Sequence, residues 1–597
     1  MKISWNWLSE FVDLSKIGSP ENLAQILTQR GLEVEEVHSL SQGFDRVVTA
    51  QILEKKAHPQ ADRLSLCQVS TGTGDPLEIV CGAQNMKAGD RVALAQIGAH
   101  LPNGLKIEKN KISCVTSHGM LCSEEELKLK EKAEGILILP PETPLGKPLA
   151  EFLGLDDTVL SFKLTANRGD CLSHFGIARE VASALGTKAK LPHFIPLEFN
   201  KIPFAIELDA GELAPQFQGC LIEGVKIGPS PTWVVKRLEC LGSRSINNVV
   251  DATNLVMFEL GHPMHTYDAD RLEGNQIRVR TAEKGEKLGL LDGLSVSLEG
   301  FELVIADGVK AVGLAGVMGG GNSEVRAETT RLLLECAEFS PVLVRRAAFK
   351  HQKQSEASHR FERGVDPSGL PIALSRLATL IVELAGGKIG GAAFAKNKTK
   401  ALTTIELLPG FINQFLGTSF SDESIEKALL SQGCQVTKKS SGLSIQVPSH
   451  RLDLSIPEDL AEEVARSAGY DCIPSTVPVL TSSPSGTLDF GIIDRAKDLL
   501  VQAGIQETIN LGFTEIAWLE KFGMKSTAPL LNPLSEDLSV LVPSLLPGLV
   551  KNALDGQNHH FGSEHFTLRL FELRPTFHAN SLVGSTGAIS ATSQTET

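Results

Sequence analysis

SHRLDLSIPEDLAEEVARSAGYDCIP, residues 449–474, is the stretch that says most about the fold of this chain. Ser455 can cap a helix, and Glu458 stands three residues later, where it would complete a capping box. Pro457 is tolerated in the first turn, because the N–H group it lacks would have no helical partner there. The run therefore predicts a helix that Ser455 caps.

The acidic residues of this predicted helix form one group. Asp459, Glu462, Glu463 and Arg466 lie three or four residues apart and share a face, and Asp453 lies just upstream. Carboxylates this close repel one another unless a cation or a basic partner compensates them, and all-oxygen ligands suit magnesium. The alternative is an acidic first turn exposed to solvent, which the helix dipole favours.

The run also resembles the signature of the beta subunit of bacterial phenylalanyl-tRNA synthetases. That signature reads S-x-R-x-D and then D-L-x-E-E-x-x-R-x-x-G-Y, and residues 449–470 match it without a break. The resemblance implies that magnesium is the cofactor and that it binds where the beta subunit meets the alpha subunit. The implied ligands are Asp453, Asp459, Glu462 and Glu463.

Length and composition predict a globular protein of several domains. The 597 residues exceed one core and predict about four domains, and 42% hydrophobic with 21% charged residues is typical of globular chains. No apolar stretch reaches about 18 residues, and MKISWNWLSEF lacks the layout of a secretory signal. Ten scattered cysteines without a CxxC pair indicate reduced thiols. We therefore expect a cytoplasmic protein with no membrane contact.

The net charge of −14 argues against nucleic-acid binding by bulk attraction. Contact with tRNA must then use local basic patches or a partner subunit. Two candidates are Lys106–Lys111 and Arg278–Lys287, and each could equally be an ordinary charged surface. No DNA partner is expected.

The resemblance covers nearly the whole chain and implies a multidomain α+β fold. HPQADRLSLCQV (58–69), IVCGAQN (79–85) and SHGMLCSEEEL (117–127) resemble the family's oligonucleotide-binding barrel, in which short strands alternate with turns. The implied order is an N-terminal α+β domain (1–39 plus 150–200), the inserted tRNA-binding β-barrel (40–149), an α/β editing domain (205–395), a small α+β domain with the metal-site helix (402–476), a partial class II synthetase-like catalytic fold (484–577) and a disordered tail (578–597).

One further helix is predicted directly after the barrel, within residues 165–186. Ser173 is a plausible N-cap and Gly186 a plausible end, with an apolar stripe between them. Asn167, Arg168 and Asp170 match the family's NRxDC motif, for which we expect a structural role.

The middle of the chain holds the best catalytic candidates. RSINNVVDATN (244–254), GHPMHTYDAD (261–270), GLAGVMGGGNSEV (313–325), LLLECAEF (332–339) and SEASHRFERGVDP (355–367) resemble the family's editing domain, which hydrolyses Tyr-tRNA(Phe). A buried Glu can accept the phenol hydroxyl that distinguishes tyrosine from phenylalanine. The resemblance assigns this role to Glu335 and the placing of the ester or water to His265. The rest of the implied pocket is Arg244, Thr253, Asn254, Ala315, Gly316 and Ala357.

Two other functions compete with editing. His262, His265 and Asp268 have a spacing that would fit a metal-dependent hydrolase, although Pro263 argues against a regular helix through them. The chain could also be a non-enzymatic tRNA-binding and assembly protein derived from this family. That reading draws on LFELRPTF (570–577), where the family pattern breaks before its later domains, as in a truncated or shortened form.

Residues after 484 lack the pair of arginines with which a class II synthetase holds ATP, and the chain has no Walker A loop. No cofactor-binding residue is therefore predicted in this chain. The resemblance implies that a separate alpha subunit uses ATP to charge tRNA(Phe), within an alpha2-beta2 tetramer.

Overall fold

The computed structural model describes residues 1–200, 202–397, 401–477, 479, 488–525, 528–559, 567–579 and 591–596. The chain divides into two compact units, Met1–Ser475 and Thr476–Thr597. Its helices and sheets form several separate groups, so the protein is a multidomain α+β chain, as predicted. Within the described ranges no helix has the length and apolar character needed to cross a membrane.

The first unit begins with a three-stranded antiparallel sheet that joins segments on both sides of the barrel. Its strands, in spatial order, are Lys2–Ser4, Thr158–Lys163 and Glu33–Ser39. Three helices share its core, Trp5–Ser9, Pro20–Gln29 and His174–Leu185. The last confirms the predicted helix, because the Ser173 side chain accepts the N–H of Gly176 and Gly186 ends it at a φ of 63°.

The region inserted between these segments is a six-stranded antiparallel sheet, and its buried residues form two small cores. Its strands are Val47–His58, Ala61–Ser70, Leu77–Cys81, Arg91–Gln96, Gly119–Leu121 and Ile138–Leu139. A hairpin of Asn110–Ile112 and Val115–Ser117 lies beside them, and the helix Leu149–Leu153 follows. Strand Arg91–Gln96 is buried along most of its length, as its near-continuous apolar run RVALAQ predicts.

Residues 205–396 fold around two sheets. A four-stranded antiparallel sheet has the order Met264–Asp268, Arg331–Glu338, Gln216–Glu223 and Lys388–Lys396. A five-stranded sheet has the order Ala205–Leu208, Gln276–Thr281, Leu303–Ala306, Ala311–Leu314 and Met318–Gly319. A short ribbon pairs Lys287–Gly289 with Ser295–Ser297. The helices of this region are Thr232–Cys240, Asn248–Leu260, Pro341–Lys350, Glu356–Phe361 and Leu370–Ala385.

The last part of the first unit is a small α+β group. Strand Gly442–Gln446 lies between Thr404–Leu407 and Gln435–Lys439. The helices are Phe411–Leu416, Asp422–Ser431 and Pro457–Ala468. The N-cap of the last helix is Ile456, one residue later than the predicted Ser455, and Asp459 rather than Glu458 completes the capping, because its Oδ2 accepts the N–H of Ile456 at 3.0 Å.

The second unit has the helices Leu488–Gln502, Ile516–Glu520 and Leu546–His559. Its paired strands are Gln506–Glu507 with Leu570–Phe571, Phe513–Thr514 with Val540–Leu541, and Arg574–Ala579 with Ala591–Glu596. The last pair includes residues 578, 579 and 591–596 of the tail that was expected to be disordered over 578–597, and the rest of that tail lies outside the described residues. The predicted start at 484 lies outside the described residues.

Candidate active site and carboxylate group

A cavity of about 270 Å³ is lined by residues from both sheets of region 205–396 and from two of its helices. This volume is near the lower end for small-molecule pockets. The motif segments meet here although they lie far apart in sequence. Seven of the eight predicted pocket residues line it, and they are Thr253, Asn254, His265, Ala315, Gly316, Glu335 and Ala357.

Strand register explains which side chains meet in the cavity. His265 and Glu335 are direct cross-strand partners in the antiparallel pair of Met264–Asp268 and Arg331–Glu338, so they share a face. Tyr267 lies two residues after His265 and therefore points to the same side. Its hydroxyl donates a short hydrogen bond to Oε2 of Glu335. Three polar side chains thus meet in the cavity, whose lining also includes Thr253, Asn254, Ser355 and Glu356.

Burial controls the charge of these groups. Desolvation raises the pKa of Glu335 to about 7, although the hydrogen bond from Tyr267 opposes this shift. Desolvation also lowers the pKa of His265 to about 4, so its ring is neutral at pH 7. The pKa of Tyr267 lies well above its ordinary value because of burial and the nearby carboxylate, so Tyr267 stays a donor.

His265 keeps one ring nitrogen available inside the cavity. Its Nε2 is buried and has no hydrogen-bond partner among the described residues. The ring packs edge-on against Tyr267, with 4.6 Å between centroids. Because an unpaired buried polar atom is costly, this nitrogen is a natural place for a ligand or a water molecule.

Two glycines allow the close approach that the cavity needs. A Cβ on Gly319 would lie 2.5 Å from the His265 ring, so any larger residue would displace the imidazole. Gly316 has a φ of +70°, and a Cβ there would lie 2.9 Å from Val344. The glycine-rich run 313–321 therefore shapes the cavity wall around His265.

Arg244 is the one predicted pocket residue that the structure places elsewhere. It lines a neighbouring surface hollow with Met1 and Phe258, and Glu356 lines both that hollow and the cavity. Arg244 is exposed, so it borders the cavity region without facing into it.

The residues of the alternative metal site are separated. His262 lines a different hollow, which it shares with Asp366 and His450, while His265 faces the cavity. Asp268 accepts a hydrogen bond of 2.7 Å from the Thr329 hydroxyl. Among the described residues, these side chains do not form a group that could hold one metal ion.

The four predicted magnesium ligands have different environments. Arg451 holds Asp453 with two hydrogen bonds of 2.9 and 2.8 Å. Arg451 also holds Glu463, at 2.8 and 2.6 Å. The Asp459 carboxylate caps its own helix, and Glu462 is exposed. These four do not form a shared ligand group in the described part of the chain, so the set as a whole does not fit one ion.

Glu463 belongs to a buried chain of alternating charges that the sequence did not predict. Arg466 contacts Glu463 at 2.7 Å and Glu180 at 2.7 Å, and Arg168 contacts Glu180 at 2.6 Å. Burial alone would raise the pKa of Glu180, but Arg466 and Arg168 hold it well below its usual range. Each of the two carboxylates therefore has two arginine partners. The ion pair between Arg466 and Glu180 links helix Pro457–Ala468 to helix His174–Leu185.

Arg168 also explains the NRxDC segment. Its Nη2 donates to Asp170, to the Cys171 sulfur and to Glu180, at 3.0, 3.1 and 2.6 Å. Asp170, Cys171 and Glu180 are the one group of potential metal ligands among the described residues, and the guanidinium already serves them. The contacts are those of a structural motif.

Comparison with known proteins identifies the family. The chain is 44% identical over 583 residues to the phenylalanine–tRNA ligase beta subunit of Anaeromyxobacter dehalogenans (strain 2CP-C), covering 96% of this chain and 72% of that one. It is 43% identical over 595 residues to the beta subunit from Syntrophotalea carbinolica (strain DSM 2380 / NBRC 103641 / GraBd1), covering 97% and 73%. This chain belongs to the phenylalanine–tRNA ligase beta subunit family. The family is that of an aminoacyl-tRNA synthetase subunit, as the signature at 449–470 predicted.

Four family models match successive parts of this beta-subunit chain. They are a putative tRNA binding domain (47–148), a B3/4 domain (213–386), a tRNA synthetase B5 domain (405–470) and a phenylalanyl tRNA synthetase beta chain CLM domain (473–589). An N-terminal fragment of the phenylalanyl-tRNA synthetase beta subunit from Pyrococcus horikoshii aligns over 52% of this chain and 88% of its own. That alignment has 15% identity and a TM-score of 0.30, too low to support an argument.

The basic patches considered from the sequence, Lys106–Lys111 and Arg278–Lys287, are compensated in part. Lys106 contacts Glu108 at 3.1 Å, and Arg280 contacts Glu286 at 2.7 Å. Arg278 contacts Asp209 at 2.5 Å. Such exposed pairs are typical of an ordinary charged surface.

Tyr267 and Gly319 are two residues of the cavity to which the sequence reasoning assigned no role. The signal for Tyr267 was the alternation in MHTYD, since a strand at 264–268 places His265 and Tyr267 on one face. Gly319 had no equivalent signal, because its importance depends on the position of the His265 ring across the cavity.

Proposed function

We propose that this beta subunit hydrolyses tyrosine wrongly attached to tRNA(Phe). In this proposal it works with an alpha subunit, in an alpha2-beta2 tetramer, that charges tRNA(Phe) with phenylalanine at the expense of ATP. The observation that carries the proposal is the buried Glu335 carboxyl beside an unpaired His265 nitrogen in one cavity. An apolar pocket rejects an added hydroxyl only about 100-fold, so a second site that accepts the hydroxyl improves fidelity.

Glu335 supplies recognition. Oε2 accepts a hydrogen bond from Tyr267, and the remaining acceptor capacity of the carboxylate is available for the phenol of a tyrosyl group. A phenylalanyl group leaves that capacity unused in a buried site, which is unfavourable. With a pKa of about 7, the Glu335 carboxyl is about half ionised at pH 7. The ionised form can accept a hydrogen bond from the phenol hydroxyl.

His265 positions the attacking water. Its ring is neutral, and Nε2 can accept a hydrogen bond from a water molecule aimed at the ester carbonyl carbon. Attack forms a bond from the water oxygen to that carbon and breaks the bond to the ribose oxygen. The ribose oxygen takes up a proton, and the products are tyrosine and tRNA. The glycine-rich wall fixes the ring during this step.

Magnesium is proposed for a narrower set than the sequence predicted. Asp459 and Glu462 are the two of the four carboxylates that no arginine holds, and they are one turn apart on the same helix. Oxygen ligands from outside this chain would have to complete the coordination shell, because two carboxylates alone do not.

We also propose a domain order and a location for this chain. The predicted domain boundaries, with tRNA contacts in the barrel at 40–149 and a partial catalytic-like fold at 484–577, are supported by the order of the family-model matches. A cytoplasmic location is supported by ten cysteines that are all free.

Binding of the free amino acids tests the recognition step without tRNA. We expect the chain to bind L-tyrosine about 10-fold to 100-fold more tightly than L-phenylalanine, the range given by one hydrogen bond to a charged group. Glu335→Ala should abolish this preference, whereas Glu338→Ala, on the same strand but outside the cavity, should preserve it. Equal binding of both amino acids by the unmodified chain would contradict the proposed role of Glu335.

A further inference from the structure

The helix Pro341–Lys350 has a buried face and an exposed face of different chemistry. Val344, Ala347 and Ala348 are buried in the core. The exposed face carries residues with i, i+3, i+4 and i+7 spacing, so they lie side by side. These residues, which we call the arginine–phenylalanine face, are Val342, Arg345, Arg346 and Phe349.

Apolar side chains on this face are unusually exposed. Phe349 is 80% exposed and Val342 is 74% exposed. The Arg346 guanidinium lies over the Phe301 ring, with 3.8 Å from its carbon to the ring centroid. Arg346, Phe301 and Phe349 line one open surface hollow. Flat aromatic and guanidinium groups around a hollow offer stacking surfaces for planar ligands.

The charge of the face is positive and uncompensated. Arg345 and Arg346 form no ion pair with any residue that the structure describes, while nearby Lys350 pairs with Glu299 at 2.5 Å and Lys353 pairs with Asp292. In a chain of net charge −14, two adjacent arginines without acidic partners favour an anionic ligand.

The arginine–phenylalanine face lies directly behind the cavity. A Cβ on Gly316, which lines the cavity, would lie 2.9 Å from Val344 on the buried side of the same helix. Five residues after the helix ends, Ser355 begins the segment that lines the cavity with Ala357. A ligand crossing the exposed face would therefore be close to the site of hydrolysis.

We propose that the arginine–phenylalanine face binds RNA near the 3′ end of the tRNA and guides that end to the cavity. The two arginines contact backbone phosphates, and Phe349 stacks on an unpaired base. Aromatic stacking combined with free cations is the recognition chemistry of single-stranded nucleic acid, and a protein partner would not need both. The role of this face in guiding the tRNA end rests on the proposed hydrolysis. Its binding of RNA can be measured without hydrolysis.

The experiment uses the full chain co-purified with its alpha subunit and a tRNA(Phe) transcript as the probe. Arg345→Glu with Arg346→Glu should lower the slope of log affinity against log salt by about 1.4, at about 0.7 for each lost contact. The same relation gives about 25-fold weaker binding near 0.1 M salt. Phe349→Ala should weaken binding about five-fold or more.

The matched control is Lys188→Glu with Lys190→Glu, which changes the charge equally at two exposed lysines elsewhere. It should leave affinity and salt slope nearly unchanged. A tyrosyl ester of adenosine, which lacks the RNA chain, should be hydrolysed equally by the unmodified chain and by the double arginine variant.

Three outcomes are decisive. Unchanged affinity and slope in the double arginine variant would overturn the inference, even if Tyr-tRNA(Phe) is hydrolysed. Loss of the alpha subunit with unchanged RNA binding would also overturn it and make the face a protein interface. A lowered slope in a chain without hydrolytic activity would support the RNA surface and contradict the proposed function.

Discussion

Tyr267→Phe removes a single oxygen atom and tests how the Tyr267 hydroxyl affects the pKa of Glu335. The hydrogen bond from Tyr267 lowers the pKa of Glu335, which burial has raised to about 7. A hydrogen bond to a charged group contributes about 1.5–3 kcal/mol, and one pKa unit corresponds to about 1.36 kcal/mol. Loss of the bond should therefore raise the pKa of Glu335 by about one to two units.

The pH dependence of hydrolysis is set by the protonation state of Glu335, because its carboxyl accepts the hydrogen bond from the phenol hydroxyl. Only the ionised carboxylate is a full acceptor, so hydrolysis of Tyr-tRNA(Phe) should rise with pH through about 7 in the unmodified chain. In Tyr267→Phe the rise should move to about pH 8–9. A mid-range shift of about 1.5 units predicts about eight-fold slower hydrolysis at about pH 7.5.

The assay is the pH dependence of single-turnover tyrosine release, for the unmodified chain and the variant. The chain contains only two tyrosines, so Tyr470→Phe is a matched control that removes the same atom outside the cavity. It should leave the profile unchanged. An unshifted profile in Tyr267→Phe, or a shift toward lower pH, would refute the assignment of Glu335 as the titrating acceptor.

Two further variants test the buried ion pairs and the cavity wall. Glu180→Gln leaves two buried arginines without their shared carboxylate, so it should lower the free energy of unfolding by about 3–5 kcal/mol. The control is the exposed Glu462→Gln, which should change that free energy by less than about 0.5 kcal/mol, with both values measured by thermal unfolding. Gly319→Ala should displace the His265 ring and abolish tyrosine release, while the circular dichroism spectrum stays that of the folded chain. The control is Gly321→Ala, which should retain activity because its Cβ would lie 3.5 Å from its nearest neighbour, the backbone oxygen of Leu290. Equal effects within either pair would contradict the reasoning.

The cavity could be predicted from the sequence because its motifs are local. The segments around 253, 265, 315, 335 and 357 each carried a recognisable pattern, and seven of the eight implied residues line one cavity. Tyr267 required the strand register in addition, since its contact with Glu335 joins residues on neighbouring strands. The helix Pro457–Ala468 was predicted, but its start shifted because Asp459 closes the turn.

The surroundings of the carboxylates could be predicted only in part, because the ion pairs beyond Arg451 and Arg466 involve distant parts of the chain. Glu180 and Arg466 are 286 residues apart in sequence, yet they form a buried ion pair. Arg451 and Arg466 lie in the run 449–474 itself, but spacing alone does not show that they, and not a metal ion, neutralise Glu463. The group of acids in the sequence therefore indicated a cation correctly, and for Asp453 and Glu463 that cation is the guanidinium of an arginine.

The most direct test of the central claim is release of free tyrosine from preformed Tyr-tRNA(Phe) by the chain co-purified with its alpha subunit. The account predicts release above the rate in buffer, and Glu335→Ala should abolish that release or redirect hydrolysis to Phe-tRNA(Phe). No release above buffer with the alpha subunit bound would contradict the account and favour a non-enzymatic role in tRNA binding and assembly.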